Sequence, residues 1–188
     1  MKTIRLNQNG VVLNGQVVPT RERGGQLLVE LQRAYCPDYA KFFKMSLLAR
    51  LAFIASEMLL QSEQPRHPEG LSDRAVVFLN ASSSLHDDRL FAQSCADIPS
   101  PALFVYTLPN IAVAEVAIRH KLLGETSFFV LPKFDAEAIL ALVRQTFADA
   151  ATQSALVGWT ECASPADFEA RLALVEREEA LSPDFKLL

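Results

Sequence analysis

The sequence predicts a single α/β domain that spans residues 1–188, with a mainly parallel, mixed sheet packed by helices. Two observations support this prediction. Apolar segments of strand length, at residues 75–79, 127–130 and 155–160, alternate with segments of helical length, which is the pattern of strand–helix–strand units. No repeat, low-complexity tract or linker divides the 188 residues, and that length suits one domain with a sizeable core.

The first third of the chain combines a hairpin with helical segments. Asn14-Gly15 separates two short apolar runs, and this pair favours a tight hairpin turn because both residues tolerate a positive φ. A short helix is predicted over residues 26–34. Residues 39–61 predict a long helix that is apolar on nearly every side, so we expect it to be buried on several sides, and residues 64–72 predict a loop.

The later elements are predicted from apolar runs and from the residues that flank them. Residues 74–80 predict a central parallel strand, because they form a short apolar run bounded by polar residues. Asp135 predicts a helix N-cap, with inward positions at Ile139, Leu140, Val143 and Phe147. The other predicted elements are a polar helix opened by serines 82–84, a helix over 110–121 ended by Gly124, strands over 127–130 and 155–160, a helix beginning at 164–167, and a loose tail after Pro183.

Composition and charge exclude several classes of function. The net charge is −4 and no run of lysine or arginine exceeds two, so the chain lacks the clustered positive charge that a nucleic-acid groove needs. The N-terminus has no apolar signal core, and the most hydrophobic stretch, residues 46–60, is too short to span a bilayer. Cys36, Cys95 and Cys162 are isolated in sequence, which indicates reduced thiols in the cytoplasm and no metal site.

Residues 82–88 gather serine, histidine and aspartate, the residue types of a hydrolase, in one short stretch. A catalytic triad is assembled in space, and neighbours along one helical turn rarely have the required geometry. The serines are therefore better explained as helix caps, and Asp87 as a first-turn charge favoured by the helix dipole. Cys95 has no adjacent base and is expected to be a buried or semi-buried, inert thiol. One alternative remains, a stand-alone acyl-transfer or hydrolytic enzyme that uses Ser83 or Cys95 with His86.

Residues 100–125 begin with a Ser-Pro pair and continue with a Pro-Asn pair at 109–110, a helical segment and a glycine. This pattern resembles one found in the N-terminal half of β-ketoacyl synthases, which are enzymes of the thiolase-like fold. The order of the flanking elements agrees, and residues 156–161, Leu-Val-Gly-Trp-Thr-Glu, are similar to the "VAGGAE" strand of that family. The resemblance covers the chain from about residue 39 onward and implies half of a thiolase-like fold.

The sequence departs from the family where active ketosynthases carry their nucleophilic cysteine, roughly in "TACATG". At that place residues 129–136 read Phe-Val-Leu-Pro-Lys-Phe-Asp-Ala. Lys133 or Phe134 takes the position of the cysteine, and neither can form an acyl thioester. The family's catalytic histidines and lysine belong to a C-terminal half that has no counterpart in this sequence. The resemblance therefore implies no catalytic residue and no cofactor, and hence that the chain is not an enzyme by itself.

The relatives that fit these departures are chain-length factors, ketosynthase-like subunits without the cysteine, and in particular the partner of an aryl polyene ketosynthase. This resemblance implies a heterodimer with a full-length β-ketoacyl synthase in fatty-acid or polyketide biosynthesis, with an acyl carrier protein as donor. A hydrophobic fraction of 50% is consistent with an apolar face that a partner covers. A homodimeric thiolase-like binding protein is a further alternative.

The resemblance also implies which residues form the tunnel and the interface. Tyr106, Thr107 and Leu108 should line or gate the buried acyl tunnel, and Phe134 should close it. The strand over residues 155–160 should pair antiparallel with the equivalent strand of the partner. The expected partner interface is accordingly Leu156, Val157, Gly158, Trp159 and Thr160.

Overall fold

The computed structural model describes residues 1–63 and 69–187. Its strands are β1 (Lys2–Asn7), β2 (Gly10–Leu13), β3 (Gln16–Val18), β4 (Arg74–Asn80), β5 (Thr126–Val130), β6 (Ser154–Ser164) and β7 (Asp167–Glu176). Its α-helices are α1 (Gly24–Tyr35), α2 (Leu47–Leu59), α3 (Leu85–Ser94), α4 (Pro101–Val105), α5 (Asn110–His120), α6 (Ala136–Thr146) and α7 (Arg177–Leu181). The predicted α/β class is confirmed. Residues 64–68, which hold part of the predicted loop over 64–72, lie outside the described residues.

The strands form one seven-stranded sheet in the order β3-β2-β1-β7-β6-β4-β5. The sheet is mixed, as predicted, but less of it is parallel than the sequence suggested. β4 pairs in parallel with β5 and with β6, whereas the remaining four pairings are antiparallel. β4 is buried along its whole length, which confirms the prediction of a central parallel strand over 74–80. Among the described strands, β3 and β5 lie at the two edges of the sheet.

The N-terminal hairpin forms where Asn14-Gly15 predicts it. Asn14 and Gly15 have φ values of 50° and 79°, and the turn joins β2 to β3. Asn14 also fixes the hairpin to β1, because its Oδ1 accepts the N–H of Thr3 at 2.9 Å and its own N–H donates to the Thr3 carbonyl at 2.8 Å. Local turn chemistry therefore determines this part of the sheet edge.

α2 is the central helix on one face of the sheet, and the prediction that it is buried on several sides is confirmed. It begins at Leu47 and not near residue 39, because the Ser46 hydroxyl accepts the N–H of Ala49 at 3.3 Å and caps the helix. Residues Ala40–Lys44 instead form a 3₁₀ helix. No helix in the described part of the chain has both the length and the apolar content that crossing a membrane requires.

An ionic cluster joins α2 to α5 within this layer. Glu57 of α2 is 5% exposed and accepts two hydrogen bonds of 3.0 Å from the guanidinium of Arg119. His120 Nε2 lies 3.3 Å from the same carboxylate. The Arg119 guanidinium also lies over the ring of Tyr39, 4.6 Å from its centroid. Because a buried charge is costly without a partner, this cluster fixes the relative position of the two helices.

The opposite face of the sheet is covered by α6, α7 and the last residues of the described chain. The side chain of Asp135 accepts the N–H groups of Glu137 and Ala138, so the predicted N-cap of α6 is confirmed. Ile139, Val143 and Phe147 are buried as predicted, whereas Leu140 is partly buried. The prediction of a loose tail after Pro183 is wrong, because Phe185 and Leu187 pack against this core.

The helix predicted to begin at residues 164–167 is absent, and β7 takes its place. Successive side chains of Asp167–Glu176 point to opposite faces of the sheet: Phe168, Ala170, Leu172 and Leu174 join one core, and Ala173 and Val175 the other. This period of two is the pattern of a strand with both faces covered. Pro165 lies in the tight β6–β7 connection and does not start a helix.

Candidate functional site

The carboxyl ends of β4, β5 and β6 meet at one edge of the sheet, because these three strands run parallel. Ligand sites in open α/β sheets usually lie at such an edge. Residues 81–84 follow β4 and residues 131–135 follow β5. The last residues of β6 itself lie at the same edge. These segments include Ser83 of the hydrolase alternative and Phe134, one of the four predicted tunnel residues.

A tight turn after β4 is held by side chains from β4 and β6. The Oδ1 of Asn80 accepts the N–H of Ser83 at 2.9 Å, and its Nδ2 donates to the Ser83 carbonyl at 2.8 Å. Glu161 accepts the N–H of Ala81 at 2.8 Å and also the hydroxyl of Ser82. Ser83 has a φ of 52°, the left-handed conformation of a tight turn. These contacts give the serine-rich turn a structural role.

The prediction that the serines cap α3 is wrong. Ser84 is the residue before the helix, but its hydroxyl does not accept a helix N–H. It donates to the Thr107 carbonyl at 2.5 Å and lies 3.2 Å from Asp88 Oδ1. Ser84 therefore connects the start of α3 to the chain just after α4, and this contact places α4 beside α3.

The residues of the hydrolase alternative are not joined in the structure. Within residues 1–63 and 69–187, no hydrogen bond links Ser83 or Cys95 to His86. Cys95 is exposed, so the expectation that it is buried or semi-buried is wrong; the residue directly follows the last turn of α3. The same residues contain no group of three His, Cys, Asp or Glu that could hold a metal ion. The described geometry thus does not assemble the nucleophile–base pair of the hydrolase alternative.

Asp87 helps to form a cleft between the start of α2 and the α3–α4 segment. The cleft has a volume of about 340 Å³, and its polar lining includes Lys44, Arg50, His86, Asp87 and Tyr106. The side chain of Asp87 is 4% exposed, and its Oδ2 accepts no hydrogen bond. A buried carboxylate oxygen without a donor is rare in folded proteins, because it has lost its water without a replacement.

Burial raises the pKa of Asp87, since it disfavours the charged carboxylate; the Ser46 hydroxyl and the nearby His86 oppose this effect in part. The charge of the same carboxylate acts on the thiol of Cys162, which lies on β6. Burial, followed by the charges of Asp87 and Glu161, raises the pKa of its thiol to about 12. An acid and a thiol are therefore both held away from water beneath α3.

We expect Asp87→Asn to stabilise the protein at neutral pH. A carboxyl whose pKa is raised by folding binds its proton more tightly in the folded state, so the native protein loses stability as pH rises from about 4, the pKa of an unfolded aspartate. Asparagine does not titrate, so the variant does not lose stability in this way as pH rises. Urea unfolding between about pH 4 and about pH 7 should show that the free energy of unfolding of the variant exceeds that of the native protein by an amount that grows with pH. Asp88→Asn, which removes the neighbouring half-buried carboxylate, is the control, and an equal difference there would contradict the assignment.

We expect one of the three cysteines to react quickly with a thiol reagent in the native protein. Cys95 is exposed, whereas Cys36 and Cys162 are buried and the pKa of Cys162 is raised to about 12. Absorbance titration at pH 8 should therefore count one fast thiol before denaturation and three after it. Cys95→Ser should remove the fast reaction. Fast labelling that persists in this variant would show that one of the other thiols is accessible.

Tyr106, Thr107 and Leu108, the predicted tunnel residues, follow α4 and differ in exposure. The Tyr106 hydroxyl donates to Glu115 Oε1 at 3.2 Å, and burial followed by the charge of Glu115 raises the pKa of Tyr106 to about 12. The Thr107 hydroxyl donates to the Phe104 carbonyl at 2.7 Å. Leu108 is 49% exposed. Tyr106 lines the Asp87 cleft, whereas Leu108 faces outward.

Phe134 lies on the opposite face of the sheet from Tyr106. Its ring packs edge-on against Trp159 with a centroid distance of 5.6 Å, and the Arg171 guanidinium lies 4.7 Å from its centroid. Phe134 and Trp159 belong to the core under α6, whereas Tyr106 packs on the core under α2. This chain alone therefore does not bring the four predicted tunnel residues to one wall.

The predicted interface strand lies inside the sheet. Leu156, Val157, Gly158, Trp159 and Thr160 are all buried in β6, which pairs with β4 on one side and β7 on the other. Both edges of β6 are thus hydrogen bonded within the chain. The prediction that this strand pairs with a partner is wrong, because a strand with two neighbours has no free edge.

One edge strand that sequence reasoning missed is β5. The N–H of Leu131 donates to the Asn80 carbonyl, and alternate residues of a strand direct their N–H groups to the same side. Ser127 and Phe129 therefore face β4, whereas Thr126, Phe128 and Val130 direct their backbone groups outward. Val130 is 53% exposed. The apolar run over 127–130 was visible in the sequence, but nothing in it showed that β5 ends the sheet.

A second missed feature is an exposed apolar surface on the α3–α4 segment. Phe91 and Phe104 pack against each other with a ring distance of 5.3 Å and join the two helices. The large apolar side chains that this segment exposes are Leu85, Leu90, Ile98, Phe104, Val105 and Leu108. We call these six residues the α3–α4 apolar surface. A contiguous exposed apolar patch of more than a few hundred Å² marks an interaction site.

Comparison with known proteins identifies structural relatives. No protein-family model matches this sequence, and no curated protein matches it. The ishigamide ketosynthase/chain length factor is similar with a TM-score of 0.66 and 18% identity, over 96% of this chain and 62% of the other. The ketosynthase ApeO in complex with its chain length factor ApeC from Xenorhabdus doucetiae gives a TM-score of 0.55 and 18% identity, over 72% and 60% of the two chains.

A β-ketoacyl synthase from Burkholderia phymatum is also similar, with a TM-score of 0.51 and 16% identity over 79% of this chain and 47% of the other. The chain therefore spans about half to three fifths of the length of these relatives. Identities below one fifth are informative about the fold and not about the chemistry. This chain has part of the thiolase-like fold that is found in ketosynthase and chain-length-factor structures.

Proposed function

We propose that this chain is a non-catalytic, chain-length-factor-like subunit. It pairs with an active β-ketoacyl synthase in the cytoplasm and shapes the acyl or polyene tunnel of that enzyme, in fatty-acid or polyketide biosynthesis of the aryl polyene type. The synthase supplies the condensation chemistry, and an acyl carrier protein delivers the acyl groups to the complex. The observation that supports this most strongly is a ketosynthase-like fold whose sequence has no cysteine at residues 129–136.

The described residues support a binding role in two further ways. Covalent acyl transfer needs a nucleophile–base pair, and neither Ser83 nor Cys95 is hydrogen bonded to His86 within residues 1–63 and 69–187. The α3–α4 apolar surface and the open edge of β5 are surfaces of the kind that a protein partner covers. We therefore place the ketosynthase against β5, with the α3–α4 apolar surface contributing to the same interface.

The tunnel residues are part of this proposal. Leu108 belongs to the α3–α4 apolar surface and extends toward the partner, and Tyr106 and Thr107 precede it in the same segment. Phe134 fills the place where an active enzyme has its nucleophile, packed against Trp159. The partner completes the tunnel wall, because Phe134 and Tyr106 pack on opposite faces of the sheet in this chain.

Co-expression with a full-length β-ketoacyl synthase of the same organism tests the proposal. Size exclusion with light scattering should give a 1:1 complex, and elongation of an acyl carrier protein substrate should require both chains. The synthase alone and this chain alone are the controls for elongation. Esterase activity of this chain alone that Ser83→Ala abolishes would favour the hydrolase alternative. A stable homodimer that does not bind the synthase would favour the alternative of a homodimeric binding protein.

A further inference from the structure

A groove lies between the edge strand β5 and one flank of α6. Its volume is about 210 Å³, and its lining residues are Glu125, Phe129, Leu142, Gln145 and Thr146. The opposite flank of α6 is closed, because the Arg144 guanidinium donates to the carbonyls of Ala180 and Ser182, at the end of α7, at 3.0 Å. The described part of the chain therefore fills the α7 side of this helix and leaves the β5 side open.

The pleat of β5 determines which residues of an added strand enter this groove. Ser127 and Phe129 pair with Val77 and Leu79 of the core under α6, so their side chains point to the α6 face of the sheet. Residues that lie opposite each other on neighbouring strands share a face. A strand beside β5, in either direction, therefore directs the residue opposite Phe129 into the groove and the residue four positions along it toward Glu125.

The groove has different chemistry at the two ends of β5. Toward the carboxyl end, Phe129 and Leu142 are partly buried apolar side chains that pack against the core under α6. At the start of the strand, Glu125 is exposed. Its Oε1 accepts the Ser127 hydroxyl at 3.0 Å, and no cation pairs with it in the described part of the chain. Apolar surface favours an apolar side chain, and a carboxylate favours lysine or arginine.

We propose that this groove receives an edge strand of the ketosynthase that carries a large apolar residue opposite Phe129 and a lysine or arginine four positions along it, opposite Glu125. This inference rests on the proposed ketosynthase partnership and adds to it the side chains that select the strand. Backbone pairing at β5 is available to strands of many sequences, because main-chain hydrogen bonds supply affinity and side-chain pockets supply specificity. The groove and Glu125 distinguish the right strand from a wrong one.

A pair of leucine variants tests the apolar half of the proposal, with full-length β-ketoacyl synthase of the same organism immobilised on a surface. Leu142→Ala removes an apolar wall of the groove and should weaken the complex by about fivefold or more. Leu140→Ala is its control, because Leu140 packs against the same core but does not line the groove. Urea unfolding of the isolated chains measures the stability that each variant loses, so that a difference in binding can be assigned to the groove.

A pair of charge variants tests the other half. Glu125→Lys reverses the charge opposite the proposed cation and should weaken the complex by about tenfold at roughly 0.05 M salt and by less at roughly 0.5 M salt. Glu137→Lys makes the same change of net charge at an exposed position of α6 outside the groove, and it should bind like the native chain. Changing the lysine or arginine of the synthase strand to glutamate should restore the affinity for Glu125→Lys.

The outcomes separate this inference from the proposed function. If the native chain does not bind the synthase, the partnership fails, and the inference that rests on it fails too. A complex that forms normally but responds equally to Leu142→Ala and Leu140→Ala, or equally to Glu125→Lys and Glu137→Lys, would overturn the inference and leave the partnership standing.

Discussion

Gly158→Ala is expected to lower the free energy of unfolding strongly. A Cβ at this position would lie well inside contact distance of the Arg171 carbonyl oxygen and 2.8 Å from the Leu172 Cα. Both atoms are backbone of β7, which pairs with β6 along ten residues, so they cannot move away as a flexible side chain would. The φ of 155° at Gly158 adds to the strain. We expect a loss of about 3 kcal/mol or more, against a total stability of roughly 5–15 kcal/mol.

Gly25→Ala is the matched control for this substitution. Gly25 lies in the first turn of α1, and a Cβ there would meet the Pro165 Cβ at 3.4 Å, an ordinary contact. Alanine within a helix is favoured over glycine, so the stability of this variant should stay within about 1 kcal/mol of the native protein. Soluble yield and urea unfolding measure both variants. A normally stable Gly158→Ala protein would show that β6 and β7 do not approach so closely.

The same substitution separates two explanations of Gly158. The resemblance implied that Gly158 lies against a strand of the partner. If it did, a larger side chain there would weaken only the complex. The structure places Gly158 inside the sheet, so the damage should appear in the isolated chain, before any partner is added. A folded variant that fails only to bind the synthase would restore the original interpretation.

Features that depend on neighbouring residues were predictable from the sequence. Asn14-Gly15 specifies its turn because both residues accept a positive φ, and Asp135 caps α6 because its carboxylate reaches the first N–H groups of the helix. The central strand β4 was also predictable, because a parallel strand buried on both faces is apolar throughout. Each of these signals is contained within a few residues.

Features that depend on distant parts of the chain were not predictable. The alternation of Phe168, Ala170 and Leu172 was present in the sequence, but the Ser-Pro pair before it is also a typical start of a helix. The order of strands in the sheet determines that β6 is interior and β5 is at the edge, and no local signal reports that order. The burial of Asp87 likewise results from α2, which is remote in sequence.

The candidate site was predicted in part. The sequence directed attention to residues 82–88 and 106–108, and the structure connects these segments through the bond from Ser84 to Thr107. It did not indicate that Asp87 would be the residue left without a donor, because an aspartate in the first turn of a helix is usually exposed. It also did not separate Phe134 from Tyr106, since the face on which a loop residue packs depends on the sheet.

The open edge of β5 leads to the second large effect, on the proposed complex with the synthase. A strand of the partner added beside β5 would bond to the outward groups of Thr126, Phe128 and Val130. Val130→Pro removes one outward N–H and places a ring where the partner strand would lie. It leaves the bond from Leu131 to Asn80 intact, and proline is tolerated on edge strands, so the fold should remain.

We therefore expect Val130→Pro to weaken the 1:1 complex by on the order of a hundredfold, since a lost hydrogen bond, an unsatisfied partner carbonyl and a steric clash act together. Val130→Ala keeps the N–H and should retain most of the affinity, which makes it the matched control. Circular dichroism and urea unfolding confirm the fold, and surface-immobilised synthase measures binding. Undiminished binding of Val130→Pro, with its fold intact, would mean that the synthase does not extend the sheet at β5. Because proline acts on backbone pairing and alanine on side-chain contact, the difference between the two variants isolates the strand pairing itself.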